Sequence, residues 1–381
     1  MSTSRDQSPS AAPQVRVIVY LDNFPNAEYS ERELAERGFP QMSMRGQAAT
    51  IKDVAKKAGV SIATVSRVLN GKGKYSRETG ARVLNAAKEL GYSANLLARG
   101  LKTGHSRTVG VVLGSYHLMN HPSLLLSAAE VLKRQGLDIQ VFLNLGLKDC
   151  AHLLAEGKVD GLLLAEAKND DLVLKALIDT GKQFVCLGGD VEREDVNLVE
   201  IDYFQGGYIA TQHLLSLGHR EILIAAADDS LPFTQEIVRG YLVALDERGV
   251  QYREELIRRT GEGGTLFGER AGYEAIGTAG RELRFSAVIA TDDRIACGAM
   301  KAMLDGGSRV PEDVSVVGFG NFSASGFFPV PLTTIDVPVS QMGELGAEIL
   351  ANGIQRMDTV VKRIKLKVNL VHRATTAKKL T

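Results

Sequence analysis

Six of the seven residues from Ser61 to Arg67 carry side chains that suit contact with a nucleic acid: Ser61, Ile62, Ala63, Thr64, Ser66 and Arg67. Thr64 and Ser66 are small hydroxyl donors suited to phosphate oxygens. Ile62 and Ala63 offer only apolar contact, for example to a thymine methyl. Arg67 can pair with guanine O6 and N7, a contact worth about 1–3 kcal/mol of discrimination. Residues 50–105 hold eleven Lys and Arg against three Asp and Glu, a formal charge of +8, while residues 1–49 carry −1 and residues 106–381 carry −7. The net charge of zero therefore conceals a basic segment on an acidic body, the footprint of a nucleic-acid-binding head. A solvated basic face would carry the same charge, so the elements around Ser61 must decide.

Those elements read as three helices. Ile51, Val54, Ala55 and Ala58 share one helical face, and Gly59 can take the positive φ that ends a helix. Ser61 is a good N-cap for a second helix striped by Val65, Val68 and Leu69, and Asn70-Gly71 closes it. Ser76 caps a third, with Val83, Leu84, Ala87 and Leu90 expected inward. Only Gly59-Val60-Ser61 joins the first two helices, a tight helix-turn-helix in which the second helix enters the major groove.

The run Thr50-Ile-Lys-Asp-Val-Ala-Lys-Lys-Ala-Gly-Val-Ser-Ile-Ala-Thr-Val-Ser-Arg-Val-Leu-Asn70 resembles the DNA-binding headpiece of the lactose-repressor (LacI/GalR) family. The likeness continues through Glu89-Leu-Gly-Tyr92 and Asn95-Leu-Leu-Ala-Arg-Gly-Leu101. The resemblance implies that Ile62, Ala63 and Arg67 read bases. It implies that Thr50, Ser61, Thr64, Ser66, Asn70, Tyr75, Ser76, Thr79, Tyr92 and Asn95 contact the DNA backbone, with Ala98 and Leu101 in a hinge helix. In that family a hinge leucine wedges into the minor groove at the operator centre, and Leu101 stands at that position. A hinge helix of about eight residues is marginal alone in water, and Gly100 weakens it by up to ~1 kcal/mol.

From Thr108 onward, apolar strands alternate with helical patterns. Val109–Leu113, Asp138–Leu143, Asp160–Leu164, Gln183–Leu187, Leu198–Ile201, Glu221–Ala226, Ala287–Ala290 and Val314–Phe319 read as strands. Such alternation means parallel sheets covered on both faces, and this length of chain calls for two α/β lobes with a ligand cleft at the strand carboxyl ends. The body resembles the type I periplasmic-binding-protein fold, through Gly157-Lys-Val-Asp-Gly161, His213-Leu-Leu-Ser-Leu-Gly-His-Arg220, Val310–Phe319 and Pro331-Leu-Thr-Thr-Ile335. The expected fold is thus an all-α helix-turn-helix headpiece plus a two-lobed α/β core. Its parts are residues 1–49 (an extension, disordered or upstream of a true start at Met42 or Met44, the alternative being a small accessory arm), 50–93 (headpiece), 94–107 (hinge and linker), 108–375 (effector-binding and dimerisation core) and 376–381 (tail). Within the first part, residues 14–21 read as a strand and 30–37 as a short helix.

The resemblance implies an effector in the cleft, with Phe267 stacking on it and Asp292 contacting it. Three polar anchors usual in the family are replaced here by Gly188, Ile237 and Gly320. Each unmet buried polar group of a sugar would cost ~1–3 kcal/mol. Either other groups bind the ligand (Tyr116, Asn120, His121, Gln235, Arg239, Asn321), or the ligand is not a simple neutral sugar, or there is none. The expected partners are an operator duplex, a small-molecule effector of carbohydrate-related type, and a second copy of the chain in a homodimer or tetramer.

Other chemistry is poorly supported. His117 and His121 are four apart, but Pro122 disfavours a helix there. Asp149, Cys150 and His152 lack the spacing of a metal site. No P-loop or GxSxG elbow occurs, so neither cofactor nor catalysis is expected. The 381 residues are 44% apolar and 24% charged, as in ordinary globular domains, and no run of about 18 apolar residues marks a membrane span. Three scattered cysteines and a polar N-terminus without a signal peptide fit a cytoplasmic protein.

Overall fold

The computed structural model describes residues 15–19, 49–69, 74–90, 105–114, 122–143, 145–167, 171–226, 231–259, 268–279, 283–356 and 360–379. They form two compact units, a headpiece lying within residues 21–106 and a body of residues 107–381 with the N-terminal strand. The helix expected over 30–37 lies outside the described residues.

The headpiece contains α1 (Ile51–Ala58), α2 (Ile62–Leu69) and α3 (Arg77–Glu89). Val54, Ala55, Ala58, Val65, Val68, Val83, Ala86 and Ala87 make its core. Leu84 corrects the expected stripe: it is 56% exposed, while Val83 and Ala87 are buried as expected and are joined by Gly80 and Ala86. Three short helices offer too little inner surface for the wider stripe. Small residues let α3 approach the other two, and Leu84 falls outside the contact.

The first lobe is built from β1 (Val15–Val19), β2 (Thr108–Leu113), α4 (Pro122–Arg134), β3 (Asp138–Leu143), α5 (Leu147–Ala155), β4 (Gly161–Ala167), α6 (Asp171–Asp179), β5 (Gln183–Gly189) and β6 (Asn197–Ile201). The chain then enters the second lobe through α7 (Tyr203–Ser216), β7 (Ile222–Ala226), α8 (Pro232–Glu247), β8 (Ile257–Arg259), α9 (Glu269–Ala279), β9 (Ala287–Ala290), α10 (Asp293–Asp305), β10 (Ser315–Phe319) and β11 (Thr333–Asp336). It returns to the first lobe as α11 (Val339–Arg356) and β12 (Arg363–Leu366), and ends in the second with β13 (Asn369–Val371). The sheets run β1-β3-β2-β4-β5-β6-β12 and β13-β11-β10-β9-β7-β8. Among the described residues every pairing is parallel except that of β13 with β11. β7, β9 and β10 are buried along their whole length, as continuous apolar runs in doubly covered sheets must be. The strand expected near the N-terminus pairs in register with β3, Val15 opposite Ile139 and Val19 opposite Leu143.

Two helix pairs in the second lobe cross almost at backbone contact. A Cβ on Gly240 of α8 would lie 2.1 Å from the Phe204 carbonyl oxygen of α7, and one on Gly207 would lie 2.1 Å from that of Ile237. In the α9–α10 pair, a Cβ on Gly298 would come within 1.7 Å of the Glu269 oxygen. These helices can pack so closely only where the side chain is hydrogen.

The C-terminal tail is laced onto the second lobe. Thr375 accepts from Val316 N–H through its carbonyl (2.7 Å) and from Thr333 N–H through Oγ1 (2.8 Å). His213 Nε2 lies 3.1 Å from Thr376 Oγ1, and its ring meets that of His372 edge-on with centroids 4.3 Å apart. Burial, then His372 and His219, push His213 down to about 4 from its ordinary 6.5. The folded state therefore holds His213 neutral where the unfolded chain would protonate it. That contribution is complete above 6.5 and is lost as pH falls toward 4.

Two predictions follow from this packing. Gly298→Ala should lower stability by about 3 kcal/mol or more, because backbone must move, whereas Gly277→Ala, whose Cβ meets nothing within 4 Å, should raise it by about 0.5–1 kcal/mol. Urea unfolding of the two variants checks the pair. The unfolding midpoint should also fall between pH 6.5 and 4, and His213→Gln should flatten that slope; an unchanged slope would rule out His213 as a contributor.

Candidate nucleic-acid interface and inter-lobe cleft

Side-chain caps start both helices of the motif, and a glycine ends the first. Thr50 and Asp53 form a capping box: Thr50 N–H donates to Asp53 Oδ2 (2.8 Å), and Asp53 N–H donates to Thr50 Oγ1 (3.4 Å). Those hydrogen bonds, followed by Lys56, hold the Asp53 carboxyl below its usual range. Gly59 ends α1 at φ 67°, where a non-glycine residue is strained. Ser61 Oγ then accepts from Thr64 N–H (3.1 Å) and starts α2.

Val65 and Val68 are buried, and the opposite side of α2 exposes Ser61, Ile62, Ala63 and Arg67, with Thr64 and Ser66 half-buried beside them. Ile62 is 45% exposed, an apolar side chain left outside the core at the helix start. Arg67 Nε donates only a long bond to Ala63 O (3.4 Å), and its guanidinium stays on the outer face. Ser76 Oγ accepts from Thr79 N–H (3.1 Å) to cap α3. Tyr75 lies over Gly80, where a Cβ would come 3.2 Å from the ring. Lys57 and Glu89 tie α1 to α3 at 2.7 Å. Thr50, Ser61, Ile62, Ala63, Thr64, Ser66, Arg67, Tyr75, Ser76 and Thr79 thus all belong to one small three-helix unit. Asn70, Tyr92, Asn95, Ala98 and Leu101 lie outside the described residues.

In the body, a cavity of about 530 Å³ opens between the lobes. The ends of β5 and β6, with β12 and α11, form the first-lobe wall, and the first turn of α8 forms the other. Among the expected effector residues, Gln235 lines it. Arg239 pairs with Glu236 (3.0 Å), and its guanidinium lies 4.7 Å over the Phe204 ring. Asp292, 5% exposed, accepts from Arg294 N–H (2.7 Å) and caps α10. Asn321, at φ 50°, donates to Asp336 Oδ1 (2.9 Å) and accepts from Arg373 (2.6 Å). Arg239, Asp292 and Asn321 do not line this cavity. Tyr116, Asn120, His121 and Phe267 lie outside the described residues.

The three replaced anchors have structural uses. Ile237 is wholly buried in the core. Gly188 (φ 68°) and Gly189 (φ 93°) turn the chain at the cavity wall. Gly320 (φ 122°) faces the Phe322 ring, 2.5 Å from where a Cβ would sit. Sequence reasoning missed Asp190, Glu192, Tyr203, Phe233 and Glu236, which also line the cavity. The signal available was their position, just beyond strand carboxyl ends or in the first turn of a helix.

Residues 50–95 match Bacterial regulatory proteins, lacI family, and residues 211–376 match the Periplasmic binding protein-like domain. The HTH-type transcriptional regulator RegA of Clostridium saccharobutylicum is 32% identical over 337 residues, covering 86% of this chain and 99% of RegA. The HTH-type transcriptional repressor PurR of Mannheimia succiniciproducens is 33% identical over 337 residues, covering 87% of this chain and 99% of that repressor. Among solved structures, the lac repressor dimer bound to operator and the anti-inducer ONPF matches at 27% identity and TM-score 0.75, over 87% of this chain and 100% of the repressor. The transcriptional regulator CelR–cellobiose complex matches at 30% identity and TM-score 0.64, over 86% of this chain and 99% of CelR. A helix-turn-helix unit and a two-lobed α/β body on one chain define a DNA-binding transcriptional regulator, not an enzyme. The chain belongs to the LacI family.

Replacing the cap that starts α2 tests how the interface is held. Ser61→Ala should destabilise the headpiece by about 1 kcal/mol and Ser61→Gly by only a few tenths, read from thermal unfolding in the absence of DNA.

Proposed function

We propose that the protein is a cytoplasmic repressor that binds a near-palindromic operator as a homodimer, or as a tetramer built from two such dimers. The exposed outer face of α2, Ile62, Ala63 and Arg67 opposite buried Val65 and Val68, is the observation that carries this reading. Ile62 and Ala63 meet thymine methyls and Arg67 a guanine. Thr50, Ser61, Thr64, Ser66, Tyr75, Ser76 and Thr79 hold phosphates. Residues 50–93 are the reading head. Asn70, Tyr92 and Asn95 also contact the DNA backbone, and residues 94–107 carry the hinge, with Ala98 in its helix and the two Leu101 side chains wedged at the operator centre. Residues 108–375 hold the partner protomer and the effector.

A small molecule in the inter-lobe cleft, carbohydrate-related or another metabolite, tunes operator affinity by changing the lobe angle. Such coupling is typically about 1–3 kcal/mol. The cavity of about 530 Å³ supports this, being of the size that takes a small ligand. A second reading, a regulator blind to small molecules and driven by a protein partner, draws support from Ile237, which is buried in the core where the family's arginine would stand.

The test uses operator and random duplexes in fluorescence anisotropy at fixed salt. Arg67→Ala should lose tenfold or more on operator with little change on random DNA, and Thr64→Ala should weaken both alike. Equal losses on both duplexes for Arg67→Ala would sink the base-reading assignment.

A further inference from the structure

The walls of the inter-lobe cavity are strongly one-signed. Among the described residues, Asp190, Glu192, Glu200, Asp202 and Glu236 line it against one cation, Lys365. Lys365 is already spent on Glu200, at 3.2 Å. The cations nearby are turned to other tasks. Arg239 is engaged with Glu236 and stacked on Phe204. Arg363 donates to the backbone oxygens of Val191 (2.9 Å) and Arg193. Asp202 gives one oxygen to Gln205 N–H at the start of α7 (3.0 Å). Asp190 and Glu192 stand exposed on the first-lobe wall beyond the Gly188-Gly189 turn.

An aromatic pair completes the site. Tyr203 and Phe233 stand at the starts of α7 and α8, both on the second-lobe side, with ring centroids 5.5 Å apart, and both line the cavity. Aromatic faces attract cations, the more so where water is thinned. Carboxylates lining a low-dielectric cleft focus a negative potential that raises the local concentration of a cation and repels an anion. A sugar phosphate, a carboxylic acid or a nucleotide would meet that potential with the wrong sign.

We propose that the cavity takes a small organic cation, an amine or guanidine with an apolar body, whose charge sits between Asp190 and Glu192 and whose body lies against Tyr203 and Phe233. This deepens the effector reading above and rests on it. Lobe closure around such a ligand would bring the α8 wall, with Glu236, onto the same charge. The three polar anchors replaced by Gly188, Ile237 and Gly320 are not needed by a ligand held through its charge.

The experiment is calorimetric titration of the full-length protein with spermidine, agmatine and choline, beside cellobiose and ribose as neutral probes. Each is run at low and at high salt, on the parent and on the Asp190→Asn/Glu192→Gln double variant. The expected result is binding of one amine per chain, weakened at least tenfold in the double variant, with an unchanged unfolding midpoint showing that the fold survives. Binding of a neutral sugar alone, equal in both proteins, would overturn the cationic assignment while leaving the cleft as an effector site. Amine binding of equal strength in both proteins would overturn it too. Binding of no probe would overturn it together with the effector reading.

Discussion

Asp293 is wholly buried at the first turn of α10, where it accepts hydrogen bonds from Ser325 Oγ (2.5 Å), Thr334 Oγ1 (2.5 Å) and Phe322 N–H (2.9 Å). An ionised carboxylate taken out of water is costly unless donors surround it. Here burial outweighs the three donors and the nearby Arg373, and the carboxyl is pushed above its ordinary value. The donors come from two pieces of chain. Thr334 brings β11, while Ser325 and Phe322 bring the segment that follows β10. Gly318 must be glycine, since a Cβ there would lie 2.3 Å from Asp293 Oδ1. Arg373 continues the network to Asn321 and to Leu332 O (2.7 Å), so the tail is fastened to the same knot. The crossing from β11 to α11 leaves directly from it.

The headpiece depends instead on local rules. Its helices are short, and their ends are satisfied by Thr50, Asp53, Ser61 and Ser76. Caps of this kind act within four residues of sequence. That is why the headpiece could be read so fully from Thr50 to Leu90, and why Leu84 was the residue misplaced: its orientation depends on how closely three helices meet.

In the body, strands that are continuous apolar runs were legible because burial on both faces leaves no room for alternation. β12, Arg-Ile-Lys-Leu, was not legible. It is an edge strand whose partner β6 lies more than 150 residues earlier, and it alternates between exposed and half-buried positions before ending in Leu366. β8 is three residues long and escapes for the same reason. The cleft was half legible. Residue type told what Asp292, Arg239 and Asn321 could do, but not which neighbour would claim them. A helix N-terminus, a glutamate with an aromatic ring, and an arginine with an aspartate did so. Asp292 and Asp293 are both buried, yet the first is spent on the start of α10 and the second on Ser325, Thr334 and Phe322 N–H.

β1 lies along β3, which without it would be the outermost strand of the first sheet. An outermost strand offers a row of unfilled backbone donors and acceptors to any extended chain that drifts past. Five residues from the far N-terminus occupy that row on β3 from Ile139 to Leu143. A chain trimmed of its first twenty residues would therefore keep its reading head and its cleft, yet carry an adhesive flank. Its solubility and its habit of self-association would become properties of what had been removed.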